Sequence, residues 1–240
     1  MGKEKSMSGQ INHYKDFTKL IETLGRKYDY AQIFEDFLSM SIHTFHRTNI
    51  QSNFFVKDEE NEKRYLEIVG CYDPDEVQQF PKLLGALMQK IYDDPYSDML
   101  GQYFTEFITR GQNGQFFTPI HLCDLMAQMT IPKDTENKRI NDPACGSGRT
   151  LLSAAKINHR NYFYGADVSA VCSKMSVLNF YLNGLQGEIA HMNSLSMEWF
   201  QGWHINTSGL GIVPITKEQS VIWSKPPEKA PEQGTQLTFF

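Results

Sequence analysis

Two hydrophobic patterns follow one another along the chain. Up to about residue 110, apolar residues recur at three- and four-residue steps, as in amphipathic helices. Beyond it, short apolar runs alternate with helical stretches, as in strands joined by crossover helices. The helical stripes comprise Ile33, Phe34, Phe37, Leu38, Ile42 and Phe45, then Leu84, Leu87, Met88 and Ile91. The pattern predicts a helical region followed by an α/β sheet.

Cap and turn residues indicate where several helices begin and end. Residues 57–64 predict the start of one helix, and Asp94-Pro95 predicts the end of another. At Thr118-Pro119 we expect a further helix, with the Thr118 hydroxyl capping free N–H groups and Pro119 in the first helical position. The amphipathic run that supports this helix comprises Ile120, Leu122, Leu125, Met126 and Met129.

Apolar runs predict the strands of the sheet. The first lies around Ile140, the second covers residues 161–167 and ends at Asp167, and the third covers 188–195. Helices are expected between them, the first at residues 150–157. A fourth strand is hard to find between residues 199 and 220. Residues 212–215 and 220–223 favour a β-hairpin.

The composition is that of a folded globular protein. The 240 residues are 40% hydrophobic and 21% charged. We predict a helical N-terminal domain at 1–110, an α/β domain at 111–223 and an extended tail at 224–240. Neither a signal peptide nor an apolar run of about 18 residues occurs, so we expect a cytoplasmic protein.

Charge and metal-ligand chemistry narrow the choice of partners. The net charge of −5 argues against tight binding to nucleic acid by this chain alone. His43 and His46 have no acidic or cysteine companion nearby, and we predict no metal site there. Free thiols are expected at Cys71, Cys123, Cys145 and Cys172.

The most informative stretch is residues 141–152, Asn-Asp-Pro-Ala-Cys-Gly-Ser-Gly-Arg-Thr-Leu-Leu. Gly146 and Gly148 allow unusual dihedrals and close approach of a ligand. Asp142 would lie at the carboxyl end of the first strand, as an acceptor for a ligand cation or amine. The third glycine of a dinucleotide site and the Gly-Lys-Ser/Thr of a phosphate loop are both missing from this stretch.

Residues 142–148 resemble a motif of S-adenosylmethionine-dependent methyltransferases, in particular the amino-methylating DNA methyltransferases. Residues 98–107 and 114–119 (Gly-Gln-Phe-Phe-Thr-Pro) resemble the methylation subunit of type I restriction-modification systems. By themselves, residues 114–119 are equally consistent with a helix cap preceded by two core phenylalanines. The resemblance implies a Rossmann-like methyltransferase sheet preceded by an α-helical domain, with S-adenosyl-L-methionine as cofactor.

The resemblance also implies roles for individual residues. The loop at 115–119 would cover the methionine end of the cofactor, while Asp167 would hold the ribose and Val168 the adenine face. The family usually has an Asp that accepts from the adenine amino group where Asn193 stands, and the amide oxygen of Asn193 could replace it. The implied cofactor-binding residues are Gln115, Phe117, Thr118, Pro119, Asp142, Ala144, Cys145, Gly146, Gly148, Asp167, Val168, Asn193 and Ser194.

The family's catalytic motif is not matched. Such enzymes hold the target amine with an Asn, Asp or Ser before Pro-Pro and stack an aromatic residue on the flipped base. Here the corresponding string is Ser224-Lys225-Pro226-Pro227-Glu228, with Lys225 in place of the Asn and Glu228 in place of the aromatic. We therefore interpret this Pro-Pro as the start of the tail and assign no catalytic residue.

The tail has a motif of its own. Gln236, Leu237, Thr238, Phe239 and Phe240 resemble the pentapeptide by which bacterial replication and repair proteins attach to the sliding clamp. Alternatively, the two phenylalanines fold back on the surface of this protein.

Two functions remain open. One is a site-specific adenine-N6 DNA methyltransferase that binds DNA together with a specificity subunit. The other is a catalytically silent module that keeps the cofactor site and acts through protein partners.

Overall fold

The computed structural model describes residues 12–48, 58–109, 117–134, 136–207, 209–223 and 237–238. Its first half is helical, as predicted. The helices are α1 (His13–Leu24), α2 (Tyr30–Thr44), α3 (Glu59–Val69), α4 (Pro74–Val77), α5 (Gln79–Asp93) and α6 (Met99–Tyr103), and a π-helical turn (Phe104–Thr109) follows. In the described ranges, no helix is long and apolar enough to cross a membrane.

Acidic and amide side chains start the long helices. Asn12, Asp29 and Asp58 each accept from backbone N–H groups in the first turn of α1, α2 and α3. The predicted stripe of α2 is confirmed at its centre, where Ile33, Phe34, Phe37 and Leu38 are buried. In α5 the buried residues are Phe80, Leu83, Leu87 and Ile91, and Met88, which was predicted in the stripe, is exposed.

The second half is built on one mixed sheet. Its strands are β1 (Arg139–Asp142), β2 (Tyr162–Asp167), β3 (Gln186–Asn193), β4 (Glu198–Ile205), β5 (Ile212–Ile215) and β6 (Leu237–Thr238), in the order β5-β4-β3-β2-β1-β6. The neighbours β6, β1, β2 and β3 run parallel, whereas β4 and β5 are antiparallel. The predicted α/β fold class is confirmed.

Three helices accompany the parallel strands. Helix α7 (Ile120–Thr130) precedes β1, α8 (Arg149–Ile157) connects β1 to β2, and α9 (Ala170–Leu182) connects β2 to β3. Residues of α8 and α9, among them Leu151 and Phe180, pack with Ile140, Phe163 and Ile189 of the strands. Such crossovers bring the carboxyl ends of β1, β2 and β3 to one edge of the sheet.

The predicted hairpin of residues 212–215 and 220–223 is wrong. Strand β5 pairs instead with β4, a strand that the sequence pattern did not reveal, and residues 221–223 form a turn. The cause is Glu188, which is fully buried on β3 and accepts hydrogen bonds from the backbone N–H groups of Val221 (2.8 Å) and Ile222 (3.3 Å). Because a side chain takes these N–H groups, they cannot form a strand ladder.

The helical region and the sheet share a hydrophobic core. Cys172, Met175 and Leu178 of α9 are buried in the same cluster as the apolar stripes of α1, α2 and α5. The Lys174 ammonium also donates to Glu35 (2.8 Å) and Ser39 (3.0 Å) of α2. This packing crosses the domain boundary predicted at residue 110, and the division into domains stays a prediction.

A buried carboxylate reinforces this junction. Asp98, at the start of α6, accepts from the Gly101 amide (2.9 Å), the Ser147 hydroxyl (2.6 Å), the Arg149 guanidinium (2.7 Å) and the Asn179 amide (3.1 Å). These donors belong to α6, to the turn after β1, and to α8 and α9. One carboxylate therefore joins the helical region to the glycine turn.

Gly101→Ala should disrupt the hydrogen bonds of the Asp98 carboxylate. A Cβ atom at residue 101 would lie 2.2 Å from an Asp98 oxygen and 2.4 Å from the Ser147 hydroxyl. Because neither neighbour can move without losing a buried hydrogen bond, we expect a loss of about 2–3 kcal/mol in the free energy of unfolding. Urea unfolding measures it.

Gly85→Ala is the matched control. Gly85 lies inside α5, and a Cβ there would meet no atom within 4 Å. This substitution should stabilise the chain by about 0.5–1 kcal/mol. Equal stability of the two variants would contradict the role given to Asp98.

Candidate cofactor site

The turn after β1 has the form that its sequence predicts. Gly146 (φ 56°) and Gly148 (φ 82°) both lie in the left-handed region, where glycine is favoured. Asp142 is 3% exposed and accepts from the Ala144 amide (3.0 Å) and from the Thr150 hydroxyl. The turn therefore presents its backbone at the carboxyl end of β1, with one acid fixed beneath it.

The acid that ends β2 contacts the same turn. One oxygen of Asp167 accepts from the Gly146 amide (2.8 Å) and the other from the Ser169 amide (2.8 Å). The next residue, Val168, is 62% exposed at the edge of the sheet. The sequence prediction that Asp142 and Asp167 flank one glycine turn agrees with this geometry.

Burial disfavours the charged forms of Asp142 and Asp167 and so raises the pKa of both carboxyl groups. It is the largest cause of the raised pKa of Asp142, to which the nearby charge of Asp167 adds. Burial likewise raises the pKa of Asp167, although the amides of Ser169 and Gly146 oppose it. Because two desolvated carboxylates disfavour each other's charge, the site favours a ligand with a cation and hydrogen-bond donors.

The thiols near the site are not activated. Burial raises the pKa of Cys123 to about 11 and raises that of Cys145 well above its ordinary value. All four cysteines of the chain lie in the described ranges, and none is in a disulfide. Since the thiolate is the reactive form, neither Cys123 nor Cys145 is suited to act as a nucleophile.

A cavity of about 290 Å³ opens beside the glycine turn. Its walls include Phe117, Thr118, Asp142, Ala144, Cys145 and Gly146, all predicted site residues, together with Arg149 and Thr150. The Phe117 ring covers Gly146 so closely that a Cβ added there would lie 2.6 Å from the ring. Asp167 contacts the turn without lining this cavity.

Helix α7 begins one residue later than predicted. Pro119 is its N-cap, and no side-chain cap is present, so the expected capping by the Thr118 hydroxyl is wrong. Instead, the Thr118 carbonyl accepts from the Arg149 guanidinium (3.1 Å). The buried residues of α7 are Cys123 and Ala127, whereas much of the amphipathic run is exposed, namely Ile120, Leu122, Leu125 and Met129.

The turn after β3 reaches the glycine turn through a side chain. The Ser194 hydroxyl donates to the Pro143 carbonyl (2.7 Å). The amide oxygen of Asn193 accepts from the backbone N–H groups of Leu195 (3.0 Å) and Ser196 (3.2 Å). The oxygen that we assigned to the adenine amino group is thus already engaged in fixing its own turn.

The remaining predicted residues divide into two groups. Gln115 lies outside the described residues, as do Ser224 to Glu228 with the Pro-Pro string. Pro119 is exposed at the start of α7, and Gly148 is the N-cap of α8. The roles of Gln115, Pro119 and Gly148 in cofactor binding stay predictions, as does the interpretation of the Pro-Pro string as the start of the tail.

Two residues of the site, Asp98 and Arg149, were missed. Arg149 holds the first position of α8, where the macrodipole of the helix disfavours a cation. An arginine in that position indicates that an acid must lie nearby, although the sequence cannot say which. The structure identifies the acid as Asp98.

No metal centre is formed by the described residues, among which no group of three or more His, Cys, Asp or Glu side chains is suitably placed. A ring nitrogen of His43 is hydrogen-bonded to Asn61 (2.6 Å), and one of His46 to Asp58 (2.8 Å). These contacts attach α3 to α2 and to the residues after it. His46 thus has an acidic partner, Asp58, contrary to the expectation from the sequence.

A glycine turn between two strand-end acids, at the carboxyl ends of the parallel strands, defines a protein of the α/β class. A family model described as N-6 DNA Methylase matches residues 89–228, more than half of the chain. The chain belongs to the N-6 DNA methylase family. The match spans α6, the glycine turn and the Pro-Pro string.

Individual relatives agree with the family. The chain is 31% identical over 109 residues to the type I restriction enzyme MjaVIII methylase subunit of Methanocaldococcus jannaschii, covering 43% of this chain and 18% of the relative. It is 24% identical over 174 residues to the type I restriction enzyme MpnII methylase subunit of Mycoplasma pneumoniae. That match covers 68% of this chain and 31% of the relative. The chain thus spans less than a third of either relative.

A solved structure is also similar. It is the type I restriction-modification methyltransferase subunit from Streptococcus thermophilus, with 21% identity and a TM-score of 0.38. The likeness covers 75% of this chain and 38% of that one.

Asp142→Asn should change how stability depends on pH. A carboxyl whose pKa is raised by folding stabilises the folded chain fully below about pH 4, its unfolded pKa. That contribution is lost as the pH rises through the folded pKa. The variant cannot ionise at residue 142, so its free energy of unfolding should fall less than that of the wild type between pH 4 and neutrality. Urea titrations across this range measure the difference.

Asp75→Asn, at an exposed position on α4, is the control for removing one carboxyl group. If Asp75→Asn and Asp142→Asn changed the pH profile equally, burial of Asp142 would not be the cause.

Proposed function

We propose that the chain is the cofactor-binding part of an adenine-N6 DNA methyltransferase that uses S-adenosyl-L-methionine. The observation that carries the proposal is that Asp142 and Asp167, both desolvated, flank the turn at Gly146. Membership of the N-6 DNA methylase family supports the same activity.

The chemistry of the available groups suits this cofactor. Asp142 offers the cavity an acceptor for an ammonium group and a carboxyl group to pair with a sulfonium charge, and Asp167 adds carboxylate oxygens for ribose hydroxyls. Exposed Val168 offers an apolar contact at the edge where an adenine would lie. Phe117 and Thr118 also line the cavity. When bound, the cofactor supplies an electrophilic methyl group.

The contribution of this chain to transfer would be positioning and exclusion of water. Such a reaction needs the attacking amine in line with the methyl group, and holding that geometry is a large part of catalysis. Phe117, which lies against Gly146 and lines the cavity, would exclude water from that side of a bound ligand. No group among the described residues is assigned as a catalytic residue.

A partner is part of the proposal. The net charge of −5 leaves little general attraction to phosphate, so binding of DNA requires a local basic face or a basic partner subunit, and we propose the partner. The relatives are named methylase subunits of type I restriction enzymes, which is consistent with a specificity subunit as that partner. Action on DNA agrees with the predicted cytoplasmic location.

One observation favours a catalytically silent alternative. Lys225 has no acceptor for the target amine, and Glu228 cannot stack on a base. Just before this string, the turn at 220–223 is fixed by Glu188 on β3 and by a hydrogen bond from the Trp223 indole to the Met197 carbonyl (3.0 Å). Cofactor binding without methyl transfer would be the result.

Two measurements separate the two functions. One is calorimetry with S-adenosylmethionine, and the other is transfer of labelled methyl groups to adenine-containing DNA. The enzyme should bind the cofactor and methylate DNA once a specificity subunit is supplied, and Asp142→Ala should weaken binding at least about tenfold, because a buried acceptor is lost. Binding without transfer, with the subunit present, would identify the silent module. A wild-type chain that binds no cofactor would refute both.

We further propose that residues 236–240 attach the chain to a sliding clamp. The support is the sequence resemblance alone. Leu237–Thr238 is paired in parallel with Ile140 and Asn141 of β1, so attachment would require this short strand to leave the sheet. Two backbone pairs are a weak restraint compared with a full strand.

Deletion of residues 236–240 should abolish binding to a purified sliding clamp, as measured by surface plasmon resonance. Because the deletion leaves the glycine turn intact, affinity for S-adenosylmethionine should stay within about twofold, below the ~1.4 kcal/mol that a tenfold change represents. Unchanged affinity for the clamp would show that the motif does not act there.

A further inference from the structure

Arg149 occupies an unfavourable position that its contacts explain. It begins α8, where the N–H groups and the positive end of the helix dipole repel a cation. Its side chain is only 15% exposed. An arginine kept at such a site must make contacts that outweigh both the dipole and the lost hydration.

The guanidinium is held on one side by Asp98. Its Nε donates to the carboxylate at 2.7 Å, and the Asp98 side chain is 2% exposed. The carboxylate cannot shift towards or away from Arg149, because Gly101, Ser147 and Asn179 also donate to it. The planar guanidinium is therefore fixed in position and orientation.

On its other side the guanidinium holds the segment that covers the glycine turn. Its Nη1 donates to the Thr118 carbonyl at 3.1 Å, and its central carbon lies 5.5 Å from the centre of the Phe117 ring. That ring in turn lies against Gly146. A chain of contacts thus runs from buried Asp98 through Arg149 to the wall of the cavity.

We propose that Arg149 is a positioning residue for S-adenosylmethionine: it holds Phe117 and Thr118 against the glycine turn and so sets the affinity for the cofactor. The proposal rests on the proposed function, since it names the residue that shapes the same site. The guanidinium of Arg149 donates a hydrogen bond to the Thr118 backbone and lies as a cation over the Phe117 ring. It therefore restrains both the backbone and the ring of this segment.

A double-mutant cycle tests whether Arg149 acts through Phe117. The four proteins are the wild type, Arg149→Gln, Phe117→Leu and the double variant, each titrated with S-adenosylmethionine by calorimetry. We expect Arg149→Gln to weaken binding about tenfold in the wild-type background. In the Phe117→Leu background the same change should have less than about a threefold effect, since the ring it positions is gone.

Stability provides the second readout. Removal of Arg149 leaves Asp98 short of its cationic partner, so unfolding in urea should be easier in both backgrounds. The effect should be slightly larger where the Phe117 ring also loses its cation. Coupling in affinity that exceeds the coupling in stability supports positioning. Equal weakening of affinity in both backgrounds would show that Arg149 does not set the affinity through Phe117 and would overturn the proposal.

Arg149→Lys covers the case in which Arg149→Gln does not fold. An ammonium can pair with Asp98, but it lacks the planar fork that reaches Thr118 and covers the ring at once. Its affinity for S-adenosylmethionine should fall as in Arg149→Gln, and wild-type affinity would overturn the proposal.

Arg160→Gln, which removes an exposed arginine paired with Glu136, is the matched control. No binding by the wild type would refute the proposed function instead.

Discussion

The buried carboxylate of Asp98 is the interaction on which the site depends. An isolated anion in the interior costs far more than a folded chain can tolerate, so such groups persist only when they are paired and hydrogen-bonded. Asp98 meets both conditions, with one cation and three neutral donors. Loss of a single partner from a buried pair typically costs roughly 3–5 kcal/mol. The Asp98 carboxylate therefore holds its four donors in α6, the glycine turn, α8 and α9 close together, because loss of any one of them destabilises the folded chain.

The glycine turn needs this support because its own backbone belongs to neither helix nor strand. Its carbonyls are satisfied by buried side chains of α9: the Ser176 hydroxyl donates to Gly146 (2.8 Å) and the Asn179 amide to Ser147 (2.9 Å). The same Asn179 amide reaches Asp98. The turn is thus shaped before any ligand binds, which reduces the ordering cost of binding.

Much of the fold followed from local patterns. The helical stripes, the strands up to Asn193 and the two glycines are set by periodicity and by backbone preference, both of which operate within a few residues. Helix α7 shows the limit of periodicity, because its apolar run indicated a helix correctly while several of its large residues are exposed. Periodicity shows that a helix has an apolar face, but it does not show whether another part of the chain packs on that face.

The site was predictable only in part, for a related reason. Asp142 and Asp167 could be placed because strand ends converge by topology. Arg149 and Asp98 are 51 residues apart, and nothing local joins them. Strand β4 was missed because its aromatic and polar residues do not alternate cleanly, and Gly202 interrupts it where the Trp199 ring packs across the backbone.

The glycine turn and the segment before the Pro-Pro string are held by different parts of this chain. The contacts that shape the glycine turn come from α6, α8, α9, the end of β2 and the turn after β3. The segment before the Pro-Pro string is instead held on β3, where Glu188 takes its N–H groups and Ile222 and Trp223 pack with Ala166, Ala190 and Met192. None of these contacts involves Asp98, Asp142 or Arg149. The two sets of contacts meet at the end of β2, where the Ala166 carbonyl accepts from the Cys145 amide (2.9 Å) and the Ala166 side chain packs with Ile222 and Trp223. The glycine turn and the segment before the Pro-Pro string are therefore held by separate contacts on the two sides of β2.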